Sequence, residues 1–253
     1  MKSSSPTTPK PPTAKSILLI GPPGGGKTTL ALQFPNVYVI DADGNLDGPE
    51  LYLRKGIGGK PPINPNLDYR YDYVRQKDDG TEVPFAECGD RLISLMDQGL
   101  KDPWVKTIFV DGLTFTNNFM IAKTMAKQSV EEMRRQDWIP FRNALLQVIL
   151  KLRGITKTTI MACHEEIITE DIKGVTTIRG YRPSVDSKLK DYFGGFFTDI
   201  WRCTNPGVIG GKQAPFKIQT VKDGLSPDLK SSCGMPPELD ATWSEVNKYL
   251  KLS

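Results

Sequence analysis

Ser16-Ile-Leu-Leu-Ile20-Gly21-Pro22-Pro23-Gly24-Gly25-Gly26-Lys27-Thr28-Thr29 is the stretch that decides the fold. Its first five residues are a short apolar run, the pattern of a strand buried in a parallel sheet. Gly21 to Thr28 then satisfies G-x-x-x-x-G-K-[ST], and a helical segment begins at about Lys27, so motif and context agree. Each residue type has a chemical reason. Gly24, Gly25 and Gly26 let backbone N–H groups converge on phosphate oxygens with no Cβ in the way. The helix that follows presents its positive N-terminal end. The Lys27 ammonium reaches the β- and γ-phosphates, and the Thr28 hydroxyl ligates Mg²⁺. Gly21 through Thr29 is therefore expected to bind ATP with Mg²⁺. The competing explanation, a glycine turn with an incidental lysine, leaves the strand–loop–helix context unexplained.

Working outward, apolar runs and helical spacings alternate. Asn36–Ile40, Val105–Val110 and Thr158–Cys163 are further core strands, and Thr198–Cys203 and Phe216–Val221 are later ones. Tyr69–Val74 is a candidate accessory strand. Helical spacing marks Phe85–Gln98, residues 113–128, 137–153 and 185–193, and Trp243–Leu250. Residues 42–68 read as loop, punctuated by Gly-Gly, Pro-Pro and Asn-Pro. Glu166–Arg179 alternates about Asp171-Ile-Lys-Gly174 and predicts a β-hairpin. Strands alternating with helices predict an α/β fold, a mainly parallel sheet covered on both faces. Residues 1–14, rich in Ser, Thr and Pro, predict a disordered tail, and 15–253 a single domain.

Bulk composition narrows the function classes. A content of 38% hydrophobic and 25% charged residues fits a soluble globular chain of 253 residues. No apolar run approaches the roughly 20 residues needed to span a bilayer, so no membrane partner is expected. The residues before Lys15 lack the apolar core of a secretory signal. Cys88, Cys163, Cys203 and Cys233 form no CxxC, which predicts reduced thiols and a cytoplasmic location. The formal charge is +4, and Lys2, Lys10 and Lys15, with no acid among them, supply most of it. Global charge therefore says little about nucleic acid, and local charge has to carry that argument.

Asp111 ends the strongly apolar strand at 105–110. There a carboxylate would sit beside the phosphate loop and hold the Mg²⁺ shell; the alternative is a helix N-cap. Residue 112 is glycine, where AAA+ proteins normally carry the glutamate that activates water, so the base has to come from elsewhere. Val39-Ile-Asp-Ala-Asp-Gly-Asn-Leu-Asp47 resembles the stretch of bacterial RecA recombinases in which the catalytic glutamate follows the second core strand. The resemblance assigns that role to Asp43, one methylene shorter than glutamate; a plain turn aspartate is the alternative. Met161-Ala-Cys-His-Glu165 resembles the sensor strand of RecA-like ATPases and places His164 at its polar position, or else His164 merely caps a strand. His-Glu here is similar to short phage RecA-like ATPases, including the Sak-type single-strand annealing group. That likeness runs over about residues 16–222 in motif order and rests on four short motifs.

The resemblance implies single-stranded DNA as a partner. DNA-contacting segments would lie at about 122–138 and 166–183. The first carries Lys123, Lys127, Arg134 and Arg135, with Trp138 as a candidate for base stacking. Its alternative is a solvated amphipathic face. The second mixes bases with Glu165, Glu166, Glu170 and Asp171. The resemblance further implies a homo-oligomer, ring or filament, with Lys222 and Lys230 as cations reaching a neighbour's site. A single-strand DNA-binding protein is a further possible partner. Two other functions remain open: a small-molecule P-loop kinase, for which no arginine-rich lid is found, and a non-catalytic nucleotide-dependent scaffold.

Overall fold

In a computed structural model, residues 14–56, 62–64, 66–153, 157–185, 189, 193–210 and 212–252 are described. The expected tail, apart from residue 14, and most of the expected helix at 185–193 lie outside them. The expected α/β architecture is what the chain adopts. β1 (Ser16–Gly21), β2 (Val37–Asp41), β4 (Thr107–Asp111) and the first half of β5 (Thr158–Ile172) are fully buried. They lie in one sheet of order β11-β10-β7-β1-β5-β4-β2-β3, completed by β3 (Tyr69–Tyr73), β7 (Asp199–Thr204), β10 (Lys217–Gln219) and β11 (Glu238–Asp240). From β7 to β3 every pairing is parallel; β10 and β11 are antiparallel additions at one end, and β8 (Val208–Ile209) and β9 (Lys212–Gln213) pair as a separate two-stranded ribbon.

The continuous apolar runs are explained by what covers them. Leu18, Ile20, Ile40, Ile108 and Val110 pack into a core with α3 (Cys88–Lys101), α4 (Leu113–Gln128) and α5 (Trp138–Leu152). Ile17, Leu19, Val37, Val39 and Phe109 point the other way, toward α1 (Lys27–Ala31), α2 (Asp47–Lys55) and α6 (Trp243–Leu250). Alternate residues of one strand thus feed opposite cores, so neither face can be polar. β1 and β4 do not touch; β5 lies between them.

Two expectations change. Residues 47–55, read as loop because Gly and Pro surround them, form α2. Asp47 and Glu50 sit in its first turn and Arg54 and Lys55 in its last, a charge order that suits the helix dipole. The strand expected at 216–221 is shorter, Lys217–Gln219. The predicted hairpin forms from the outer half of β5 and β6 (Val175–Pro183). Its two-residue turn has Lys173 at φ 55° and Gly174 at φ 80°, the double positive φ of a type I′ turn.

Candidate nucleotide-binding site

The loop after β1 is built by local sterics. Gly24 and Gly26 take φ of 70° and 90°, which side chains rarely adopt. A Cβ at Gly26 would also lie 2.6 Å from the Phe216 ring. The loop opens on a cavity of about 650 Å³ lined by Pro23 through Thr29. Gly21 and Pro22 do not line it. Their carbonyls instead accept hydrogen bonds from Lys27 Nζ, both at 2.9 Å, which parks the ammonium at the loop.

Thr28 Oγ1 donates to Asp111 Oδ2 at 2.6 Å, across from the end of β4. Parallel pairing sets Asp41 level with Asp111, and the Ala42 N–H donates to the Asp111 carbonyl at 2.9 Å. Asp43 is thereby carried to the cavity wall beside Asp111. Gly112 has φ 98°, and a Cβ there would stand 3.3 Å from Asp43 Cβ. A glutamate at 112 would be strained and would crowd Asp43, a physical reason for an acid after β2 and not after β4. Asp43 lines the cavity, whereas Asp41 and Glu165, the acids nearest to it along β2 and β5, do not. Asp41 is buried, with Oδ1 accepting from the Asp43 and Gly44 N–H groups at 3.1 and 2.7 Å. Glu165 is held by Arg202 in two contacts of 2.7 and 2.9 Å. His164 lines the same cavity, and its Nδ1 is buried without a hydrogen-bond partner among the described residues.

The electrostatics of the site favour cations. Burial raises the Asp111 carboxyl to about 8; repulsion from Asp43 and Asp41 adds to this, and the Thr28 hydroxyl and Lys27 oppose it. Burial likewise raises Asp41 to about 6. Burial lowers His164, and Lys27 lowers it further. Asp43, Asp47 and Asp111 line the cavity against one basic side chain, Lys27. No three His, Cys, Asp or Glu side chains among the described residues converge on a point that would hold a metal by themselves. That fits Mg²⁺, which keeps several waters and takes substrate phosphate oxygens beside one or two protein ligands. Thr28 and Asp111 are the groups that could supply those ligands.

Two residues of this site were not found from the sequence. Tyr52, on α2, and Phe216, just before β10, meet edge to face at 5.4 Å between ring centroids, and both line the cavity. Tyr52 lay in the stretch read as loop, and nothing local links Phe216 to a loop far away in sequence.

The other expected residues are placed differently. Lys123 pairs with Asp90, and Arg134 grips Asp137 at 2.9 and 3.1 Å. Lys127 and Arg135 are exposed and make no ion pair among the described residues. Trp138 is half-buried, edge to face with Phe141, with the Arg142 guanidinium 5.7 Å from its ring. Lys222 and Lys230 do not line the nucleotide cavity. They border a second one of about 620 Å³, with Thr220 and Asp228. β10 runs antiparallel to β7, so the chain moves away from the phosphate loop as it passes from Phe216 to Lys222.

A strand–loop–helix phosphate cradle on this sheet order, with an acid closing β4, the next strand but one, defines a P-loop nucleotide-binding protein with a RecA-like core. The chain belongs to the AAA domain family AAA_24, whose profile matches residues 13–212. Among solved structures it is similar to the flagellar accessory protein FlaH from Methanocaldococcus jannaschii. Identity there is 14%, over 90% of this chain and 84% of that one, with a TM-score of 0.38. It is also similar to a prototypical ATPase from the type III secretion system of pathogenic bacteria. Identity there is 13%, over 76% of this chain and 52% of that one, with a TM-score of 0.42. No curated protein matches the sequence. No helix among the described residues is long and apolar enough to cross a membrane.

Proposed function

We propose that this protein binds and hydrolyses ATP with Mg²⁺ and acts on single-stranded DNA in recombination, annealing or replication, as a homo-oligomer of the phage RecA-like kind. The observation that carries the nucleotide half is the convergence of the Lys27 ammonium, the Thr28–Asp111 contact at 2.6 Å and Asp43 on one cavity. Tyr52 and Phe216 offer the base an aromatic shelf. Lys27, freed from the Gly21 and Pro22 carbonyls, engages the β- and γ-phosphates. Thr28 and Asp111 would hold Mg²⁺, which neutralises phosphate charge when bound. Asp43 orients a water and accepts its proton. The His164 imidazole, kept neutral by burial, faces the same cavity and reads the γ-phosphate end.

Charge develops on the transferring phosphoryl group, and one lysine against three carboxylates leaves it under-compensated. Lys222 and Lys230 of a neighbouring copy are our candidates for the missing cations. The DNA half rests on the RecA-like motif order and on the exposed Lys127 and Arg135, with Lys123 and Arg134 able to join by exchanging carboxylate for phosphate. The deciding experiment is ATP turnover alone and with single-stranded DNA, double-stranded DNA or RNA. Stimulation by single-stranded DNA supports the reading. Turnover only with a small-molecule acceptor would make the protein a kinase, and tight nucleotide binding with no turnover would make it a scaffold. The trans site is tested by mixing. A Lys222→Ala/Lys230→Ala variant should bind ATP yet be inactive, and should regain turnover when mixed with Lys27→Ala. Full activity of the lysine variant alone would refute the shared site.

A further inference from the structure

β3 ends the sheet, and among the described residues no strand pairs with its outer edge. Alternate residues of a strand share a face, so Tyr69, Tyr71 and Tyr73 stand on one side of it. The register sets them level with Val37, Val39 and Asp41 of β2. Val37 and Val39 pack toward α1, α2 and α6, so the three rings lie on the α2 side of the sheet. They form a continuous ladder, with ring centroids 5.9 Å apart from Tyr69 to Tyr71 and 5.2 Å apart from Tyr71 to Tyr73. Tyr71, in the middle, is 50% exposed. The Tyr69 hydroxyl is in use, donating to Glu50 on α2 at 2.7 Å. The Tyr71 and Tyr73 hydroxyls make no hydrogen bond among the described residues. Burial first, and then Tyr71, Asp41, Asp47 and Glu50, raise the Tyr73 hydroxyl above its ordinary value, so it stays a donor.

The ladder offers apolar ring faces beside unused donors, with acids close by. Arg54 is already paired with Glu50 at 2.7 Å, whereas the exposed Asp47 makes no ion pair among the described residues. The acids that act on Tyr73 disfavour a nucleic-acid strand, whose phosphates ask for positive charge. The matching ligand is an extended chain with apolar rings, carbonyls that lack internal partners, and a positive charge. A polyproline II segment has the first two, since it makes no hydrogen bonds of its own and proline sets φ in advance. Aromatic grooves take proline-rich segments for this reason. The chain carries such a segment. Residues 1–13 lie outside the described residues; they hold Pro6, Pro9, Pro11 and Pro12, with Lys2 and Lys10 and no acid. It also joins the fold at the right level. Ser16 pairs with Thr159, Thr159 with Ile108, Ile108 with Tyr38 and Tyr38 with Arg70, so the chain enters β1 level with the Tyr69 end of the ladder. β1 and β3 are four strand positions apart, about 19 Å at the usual spacing. Residues 1–13, at about 3.1 Å each, reach about 40 Å, enough to cross that distance and lie along the three rings.

We propose that the proline-rich segment 6–12 docks on the Tyr69–Tyr71–Tyr73 ladder of its own chain, with prolines against the rings, backbone carbonyls accepting from the Tyr71 and Tyr73 hydroxyls, and Lys10 toward Asp47. The test uses the full chain with photoreactive p-benzoylphenylalanine in place of Thr8. After irradiation, mass spectrometry identifies what residue 8 has joined. The link should form within one chain and fall on residues 69–73 or on α2 beside them. Tyr71→Ser, Pro9→Gly/Pro12→Gly and Lys10→Glu should each lower its yield by roughly fivefold or more, the loss expected when an anchoring contact is removed. Tyr71→Phe, which keeps the ring and loses the donor, should fall between wild type and Tyr71→Ser. Melting curves show whether Tyr71→Ser folds; the proline and Lys10 variants leave the ladder intact and keep the test decisive if it does not. Links that join two chains, seen as a product of doubled mass, would give the ladder to a neighbour's segment and overturn docking within one chain. Links scattered over the surface would overturn the proposal too, as would a yield that neither Tyr71→Ser nor Pro9→Gly/Pro12→Gly lowers.

Discussion

The nucleotide cavity and the α4–α5 connection have opposite relations between charge counted and charge available. In the cavity, acids outnumber bases; burial raises Asp111 there to about 8, and Asp41, behind the wall, to about 6. That arrangement is costly without a cation and becomes favourable with one. From Lys123 on α4 to Asp137 before α5, four bases stand against three acids, yet Lys123 and Arg134 already have carboxylates of their own. The cavity has an unmet electrostatic demand that a ligand can fill. Half of those four bases are already met by acids of the protein itself. Net charge along a sequence therefore measures neither how strongly a region attracts a ligand nor which residues are free to do so.

The largest effect that can break this contrast is expected at Lys27. Lys27→Ala should lower ATP turnover at least about a hundredfold, as removal of a preorganised charge from a developing phosphoryl anion does. Thermal unfolding should shift little, because the Nζ contacts are to two loop carbonyls and a typical net hydrogen bond contributes only about 1 kcal/mol. A correctly folded variant with wild-type turnover would remove the phosphate assignment.

Next comes Asp43. Asp43→Asn should keep nucleotide affinity and lose turnover by roughly a hundredfold, the low end of what a positioned proton acceptor contributes. Affinity and rate have to be measured on the same preparation. Normal turnover here would send the search for a base back to other groups, with Asp41 disfavoured by its burial and Glu165 by its two Arg202 contacts.

The electrostatic demand of the cavity predicts a pH effect on stability. The folded Asp111 carboxyl holds its proton from its ordinary value near 3.8 up to about 8, whereas the unfolded chain releases it. The native state binds more protons across that window, so the stability of the ligand-free protein should fall as pH rises through it. Asp111→Asn should flatten this slope in a series of melting curves and should abolish Mg²⁺-dependent turnover. A ligand-free wild type whose melting temperature climbs over the same window, with Asp111→Asn unchanged, would show the cavity to be less strained than its geometry implies.

The smallest effects test the other half of the comparison. For single-stranded DNA, Lys127→Ala/Arg135→Ala should cost more affinity than Lys123→Ala/Arg134→Ala. The first pair should also reduce the slope of affinity against salt by roughly 0.7 for each phosphate no longer neutralised. Arg134→Ala should in addition lower stability slightly, by freeing the buried Asp137. Equal weakening by both pairs would mean that the ion pairs open readily. Unchanged affinity in both would remove DNA from this segment.

What the sequence by itself determined is what local chemistry determines. The phosphate loop was legible because positive φ, absence of Cβ and a following helix are properties of adjacent residues. The core strands were legible because two cores on opposite faces demand unbroken apolar runs, and the hairpin because Lys173-Gly174 suits only one kind of turn. α2 was missed because glycines and prolines around it outweighed a short charged helix whose stability comes from packing Tyr52 and Leu53 inward. Only the tertiary structure decided the rest. Parallel register between β2 and β4 brought Asp43 beside Asp111 and gave Gly112 its reason. Phe216 reached the cavity because β10 folds back antiparallel to β7. Whether a lysine was free or spoken for depended on acids from other helices, such as Asp90 for Lys123. These pairings join residues far apart in the chain, and their distances are set by sheet order and helix packing, which no local pattern of residues encodes.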